Sequence, residues 1–413
     1  MEVLHARCAG LDVHKDVIVA CARIVEGGSV RHELKSFATL TRGLLELSDW
    51  LESHGCTAVA MEATGVYWKP AWQVLEGHFD LILGNAAHIK NVPGRKTDAN
   101  DAQWLSDLVA HGLIRSSFVP PEPVQDLRDL TRTRKQLARE VVQHTNRVQK
   151  VLESANIKLT GLISDVLGKG GRAILDALVA GETDPAKLAL LAPRVRASSA
   201  QLTEALRGRV REHHRFMLEL HLGQIDALRA SIEEIEARLD SSLATFRDAI
   251  AHVITIPGVN PTLAWTIVSE IGTDMTRFQT DRHLRSWACI CPRNDESAGK
   301  RRSTRIRRGC KWLKEGLIQA AWSVSRMKHG YLSAQFHRIR ARRGAKKAAV
   351  AVAGSILTIA YCLIRDNTEY KDLGGHFFNL RDKQKTAKRL LRRLEQLGVK
   401  VQVQTPAPAA VSI

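Results

Sequence analysis

Cys8-Ala9-Gly10-Leu11-Asp12 (CAGLD) is a short apolar run that closes on a carboxylate. Such a run reads as a buried strand whose charged end reaches the edge of a sheet. The flanking sequence repeats the theme. Residues 17–24 (VIVACARI) form a second apolar run, Gly27-Gly28 supplies a turn, and residues 29–37 (SVRHELKSF) alternate as a third strand. Leu44 to Leu51 has helical spacing. Ala58-Val59-Ala60-Met61 is another buried strand, closing on Glu62, and Phe79 to Leu83 is one more. Lys96 to Ala102 opens a helix running to about Leu113. Three hairpin-linked strands followed by strand–helix alternation predict an α/β domain with a mixed sheet.

The acids fall where such a sheet forms sites. Asp12 and Glu62 end buried strands, and strand carboxyl ends are where open α/β sheets bind ligands. Asp98 and Asp101 lie three apart at a helix start and share a face. Each has a plainer reading: Asp98 as an N-cap, Asp101 as a partner of the helix dipole, Asp12 as the start of a turn. Glu62, straight after Val-Ala-Met, needs a partner wherever it sits. Convergent carboxylates cannot all ionise together without cations, and hard divalent metals such as Mg²⁺ take this oxygen set. Two such metals would stabilise the attacking and leaving oxygens of phosphoryl transfer. As an ordered set the four acids read as a ribonuclease-H-like metal site. His14 and Lys15 fit either a phosphate contact or an exposed turn.

The chain of 413 residues carries 61 Lys and Arg against 43 Asp and Glu, a net charge of +18, which points to a polyanionic partner. No apolar run approaches the roughly 20 residues of a membrane span, and the start carries no signal-peptide pattern, so a cytoplasmic location is expected. Seven scattered cysteines predict reduced thiols.

The charge concentrates at Cys291 to Lys314 (CPRNDESAGKRRSTRIRRGCKWLK), with nine basic residues against Asp295 and Glu296. Ser297 sits inside it, followed by Ala298 and Gly299. A hydroxyl on a Gly-containing turn ringed by cations suits attack on a phosphodiester. A solvated basic loop that only grips a nucleic-acid backbone fits the same residues. Lys300, Arg301, Arg302, Arg305, Arg307, Arg308 and Lys311 are its candidate phosphate contacts.

Elsewhere the pattern is helical. Pro120, Pro121 and Pro123 close the first domain. Heptad-like spacing from Leu127 to Val151, and again from Leu218 to Leu239, predicts two long helices that form either a coiled coil, within or between chains, or an internal bundle. His213, His214 and His221 are expected on an exposed helix face. The run Ile256-Pro257-Gly258-Val259 between two helices resembles a helix-hairpin-helix turn, making Gly258 a candidate phosphate contact; a plain corner fits too. The apolar helix Ala348 to Ile364 is expected to pack in a core. Two further basic clusters follow at 338–347 and 381–393, and few aromatics interleave them, so base stacking is not expected. The tail 401–413 is expected to be disordered.

Taken together, Gly10-Leu11-Asp12-Val13-His14-Lys15, Met61-Glu62-Ala63-Thr64-Gly65, Lys96 to Ala102, Ile256 to Val259 and the Pro292…Ser297…Gly299-Lys300…Arg308-Gly309 loop resemble the DEDD transposases of the insertion sequence one-ten family, relatives of the pilin-inverting recombinases. The resemblance implies a RuvC-like DEDD domain over 1–123, a helical coiled-coil region over 124–245 and a serine transposase domain over 246–400. It implies Asp12, Glu62, Asp98 and Asp101 as the tetrad for Mg²⁺ or Mn²⁺, and Ser297 as the nucleophile that joins covalently to DNA. It also implies a homodimer or homotetramer and a structured guide RNA. The loop departs from the family's usual Ser-Ser-Gly-Gly, reading Glu296-Ser297-Ala298-Gly299, with Ser303 as the fallback nucleophile. A RuvC-like nuclease using water, or a decayed nucleic-acid-binding relative, are the competing readings.

Overall fold

A computed structural model describes residues 3–63, 65–89, 92, 101–292, 295–297, 299–303, 305–307 and 309–399. The chain divides into two compact units, Met1–Val119 and Pro120–Ile413.

The first unit is the mixed sheet the sequence predicts. Its strands are β1 (Arg7–Val13), β2 (Val17–Glu26), β3 (Ser29–Ala38), β4 (Ala58–Glu62) and β5 (Asp80–Gly84), interleaved with helices α1 (Thr41–Ser53), α2 (Trp68–Leu75), α3 (Ala86–Ile89) and α4 (Asp101–Ala110). The spatial order is β3-β2-β1-β4-β5; β3, β2 and β1 are antiparallel, while β1, β4 and β5 run parallel. Strand alternation splits the side chains between two faces. Ala9, Leu11, Val13, Val59 and Met61 pack with Leu44, Leu47 and Leu51 of α1 and Leu75 of α2. Cys8, Ala58 and Ala60 pack on the other face with Val109 and Ala110 of α4.

Gly10 determines how closely α4 can approach. A Cβ there would meet Ala102 O at 2.2 Å, Ser106 N at 2.5 Å and Leu105 Cβ at 2.6 Å. The helix backbone therefore rests directly on the strand. Cys8 Sγ donates to Ser106 O at 3.4 Å, and Leu4 N donates to Ala110 O at 2.8 Å. These contacts run α4 antiparallel to β1, with its N-terminus over the strand's carboxyl end. The side chain of Asp107 fastens the helix to the antiparallel strands, accepting from buried Arg23 Nε at 3.0 Å and lying 3.1 Å from His32 Nε2.

Among the described residues, the second unit is helical apart from one hairpin. It begins with α5 (Glu122–Ser154), α6 (Lys169–Val179), α7 (Pro185–Leu190), α8 (Ser199–Ala205) and α9 (Glu212–Ser242). Helices α5 and α9 pair with each other inside the chain. Arg134 of early α5 pairs with Glu236 of late α9, and His144 of late α5 meets His221 of early α9 with ring centroids 5.3 Å apart, so the pair is antiparallel. The intervening helices close a leucine-rich core around Leu152, Leu175, Leu202 and Leu222. His213 is exposed as expected, but His214 and His221 are buried, because their side of α9 faces this core and α5. Burial holds both imidazoles below their ordinary titration range.

The chain continues through α10 (Arg247–Ile254), α11 (Pro261–Ile271), α12 (Asp281–Trp287), strands β6 (Asp295–Ser297) and β7 (Lys300–Ser303), α13 (Lys311–Val324), α14 (Tyr331–Arg343), α15 (Ala345–Asp366), α16 (Phe377–Arg381) and α17 (Lys383–Gln396). Contrary to the expectation that no apolar run approaches a membrane span, helix α15 is long and apolar enough to cross a bilayer by composition. Instead α10, α12, α13 and α14 pack against it, so its apolar residues are met by protein, as the small side chains predict. The tail 401–413 lies outside the described residues.

Candidate nucleic-acid-processing site

The register brings two of the predicted acids level. Leu11 pairs with Met61 across parallel strands, so Asp12 and Glu62, one step further, stand side by side at the carboxyl ends of β1 and β4. Their backbones are roughly 5 Å apart at ordinary strand spacing. Alternation puts both on the face that Gly10, Cys8, Ala58 and Ala60 present to α4. Asp101 is the first residue of α4, at the helix end that overlies this sheet edge, and is exposed. A carboxylate there also complements the helix dipole. Thus three predicted acids share one edge of the sheet. Asp98 lies outside the described residues.

Asp12 is half-buried, and its Oδ2 lies 3.1 Å from Nε2 of the exposed His14. His14 N donates to Val17 O at 3.0 Å, so the imidazole is delivered by the tight β1–β2 turn. These oxygen donors suit a hard divalent cation. Among the described residues, no group of three or more His, Cys, Asp or Glu side chains is arranged to hold a metal. All seven cysteines are free thiols.

In the second unit, Ser297 is the last residue of β6. The segment read as a loop forms a hairpin in which Ser297 pairs with Lys300 and Glu296 with Arg301, with an irregularity between Asp295 and Glu296. Gly299, just before β7, takes φ +72° with open space around it. That conformation favours glycine and lets the turn close. A further bridge pairs Pro292 with Ile306. The loop's return is pinned: Arg307 donates to Ser286 O at 3.2 Å and Oγ at 3.1 Å, and Lys314 Nζ donates to Arg307 O at 2.9 Å. Ser303 Oγ accepts from Arg305 N at 3.2 Å. Lys300, Arg305, Arg307 and Lys311 are exposed. Lys311 Nζ lies 4.6 Å from the centre of the Trp312 ring. Arg308, and the side chains of Ser297, Arg301 and Arg302, lie outside the described residues.

Gly258 turns the chain from α10 into α11 at φ +85°. A Cβ there would meet Ala320 O and Val324 Cγ2 at 2.8 Å, so packing against α13 alone requires glycine. Asn260 caps α11, its Oδ1 accepting from Leu263 N at 2.9 Å.

One residue that organises this region gave little signal in the sequence. Glu270, a lone acid in the apolar helix α11, is 1 % exposed. Its two carboxylate oxygens each accept from Arg132, at 2.8 Å. Arg128 pairs with it at 3.5 Å and also donates to the carbonyls of Ser269 and Glu270. Burial pulls the Arg128 guanidinium down to about 10, against the opposing pull of Glu270. The triad ties the base of α5 to α11, beside Cys310 at the end of the serine loop.

Residues 9–157 match a family model described as a transposase, of the DEDD type from IS110 elements. Residues 251–338 match a second model, described as a transposase of the IS116/IS110/IS902 family. The first match takes in β1 through α5; the second spans α10 to the start of α14 and so includes the serine hairpin. No curated protein matches the chain.

Proposed function

Since this chain belongs to the DEDD transposases of the IS110 family, we propose that it cuts and rejoins the DNA of an insertion sequence with Ser297 as nucleophile. The mixed sheet is read as ribonuclease-H-like, with Asp12, Glu62, Asp98 and Asp101 as its metal-holding tetrad. The observation that carries this is the register: Asp12 and Glu62 stand level on one face, and Asp101 opens the helix that covers it.

Ser297 Oγ attacks the scissile phosphorus. As the Oγ–phosphorus bond forms, the bond from phosphorus to one sugar oxygen breaks and a free sugar hydroxyl leaves. Attack by a hydroxyl of a second strand reverses the step, restores Ser297 and joins the new strand without an external energy source. Lys300, opposite Ser297 in the hairpin, and the neighbouring arginines hold the phosphate and favour the alkoxide. Bound Mg²⁺ or Mn²⁺ would neutralise charge on the attacking and leaving oxygens. The site is assembled in a homodimer or homotetramer. Target choice is assigned to a structured RNA, with base pairing carrying the sequence information.

Two variants test the reading on supercoiled element DNA. Asp101→Asn should abolish strand cleavage while DNA affinity stays within about threefold, because one acid among many cations contributes little to backbone binding. Ser297→Ala should abolish cleavage as well. Undiminished cutting by Ser297→Ala would make water the nucleophile and the protein a nuclease.

A further inference from the structure

The basic cluster at 338–347 and the segment after residue 377 together build a pocket that the catalytic reading does not use. It is a cavity of about 400 Å³ lined by Gln335, Arg338 and Arg342 of α14, Phe378 and Arg381 of α16, and Asp382. Three guanidinium groups thus face one carboxylate. Arg342 and Arg381 are exposed and have no carboxylate partner among the described residues. Aromatic rings that are scattered in the sequence meet here. Tyr331 stacks on Phe378 with centroids 5.1 Å apart and planes at 20°, and Arg338 Cζ lies 5.2 Å from the Phe378 centroid. Arg338 also donates to Phe378 O at 3.5 Å, which holds the guanidinium in place. Phe378 therefore has both the Tyr331 ring and the Arg338 guanidinium against it. Finally, Gln335 Nε2 donates to Ser355 Oγ at 2.9 Å, but its Oε1 is buried with no hydrogen-bond partner.

We propose that this pocket binds one unstacked nucleotide of a single-stranded nucleic acid. The base packs against Phe378 and Arg338, since aromatic rings and arginine planes both stack bases. The phosphate lies against Arg342 and Arg381, where bidentate pairing is available. An intact duplex cannot present a base in this way. The inference extends the transposase reading by adding a strand-holding site away from the serine hairpin sequence. It is tested by binding alone, so its failure is separable from failure of the cleavage chemistry.

The test uses the full-length protein in EDTA and fluorescence anisotropy with labelled single-stranded DNA, single-stranded RNA and duplex DNA of equal length. The double variant Arg342→Gln/Arg381→Gln should weaken single-strand binding at least tenfold and reduce the salt slope by about 1.4, two contacts at roughly 0.7 each. Phe378→Leu should weaken it at least fivefold, and duplex affinity should stay within twofold in both variants. Whichever of DNA or RNA shows these losses names the source of the strand. Equal losses on duplex and single strand, or unchanged affinity for an abasic strand, would overturn the proposal. Should Phe378→Leu fail to fold, the surface arginine variant still decides the matter.

Discussion

Replacing Gly10 by alanine tests how the carboxylate edge is assembled. The new methyl would lie 2.2 Å from Ala102 O, 2.5 Å from Ser106 N and 2.6 Å from Leu105 Cβ. Two of these are backbone atoms of α4, so no side-chain rotation relieves them. Carbon contacts settle near 3.5–4.0 Å, which requires α4 to retreat by about 1 Å. Overpacking of this kind costs about 1–3 kcal/mol. For a unit of this size that corresponds to about 4–12 °C in melting temperature. The helix carries Asp101 with it, and a displacement near 1 Å at a reacting centre lowers rates about 100-fold. Calorimetry should show the transition of the first unit shifting down while that of the second stays. Strand cleavage, assayed well below the new transition, should fall by one to two orders of magnitude. Gly223→Ala is the contrast: it lies in α9 with nothing within 4 Å and should stabilise by about 0.5–1 kcal/mol. A Gly10→Ala protein that melts and cuts like the parent would refute the packing of α4 on β1.

Glu270→Gln should remove the charge that compensates Arg128 and Arg132 and lower stability of the second unit by about 3–5 kcal/mol, whereas Arg139→Ala at the more exposed Glu315 pair should cost under about 1 kcal/mol; a melting shift under 2 °C for Glu270→Gln, read by calorimetry, would contradict the triad. Lowered titration of His214 and His221 in the fold means that the unfolded chain binds more protons just below its ordinary imidazole range, so stability should fall as pH drops below 6.5. His221 faces His144 and Arg147, both of which oppose its protonation. Circular-dichroism melts at pH 7.5 and 5.5 should differ less in His221→Leu than in the parent; an equal difference would reject the burial argument.

Much of the first unit was legible because strand alternation is short-range. The runs ending at Asp12 and Glu62 became β1 and β4, and their shared alignment followed from parallel pairing. Helix α2 was not foreseen: Trp68-Lys69-Pro70 opens with a proline and aromatic residues that give no helical period. The serine segment was read as a loop, since Gly299 signals a turn but a three-residue strand beside it carries no alternation. Burial of His221 depends on α5, where its ring meets His144, which local spacing cannot reveal. Glu270 was missed for the same reason, its partners lying on a different helix. The contact at Phe378 joins rings from α14 and α16, so counting aromatics along the basic runs could not find it.

In the proposed reaction a serine hydroxyl, not water, attacks the DNA. It is tested most directly by trapping the reaction on a suicide substrate, digesting the protein and sequencing the peptide left on the DNA by mass spectrometry. One adduct is expected, on the peptide spanning Asp295 to Lys300 and localised to Ser297. An adduct on Ser303 or elsewhere, or cleaved DNA with no attached peptide, would contradict it.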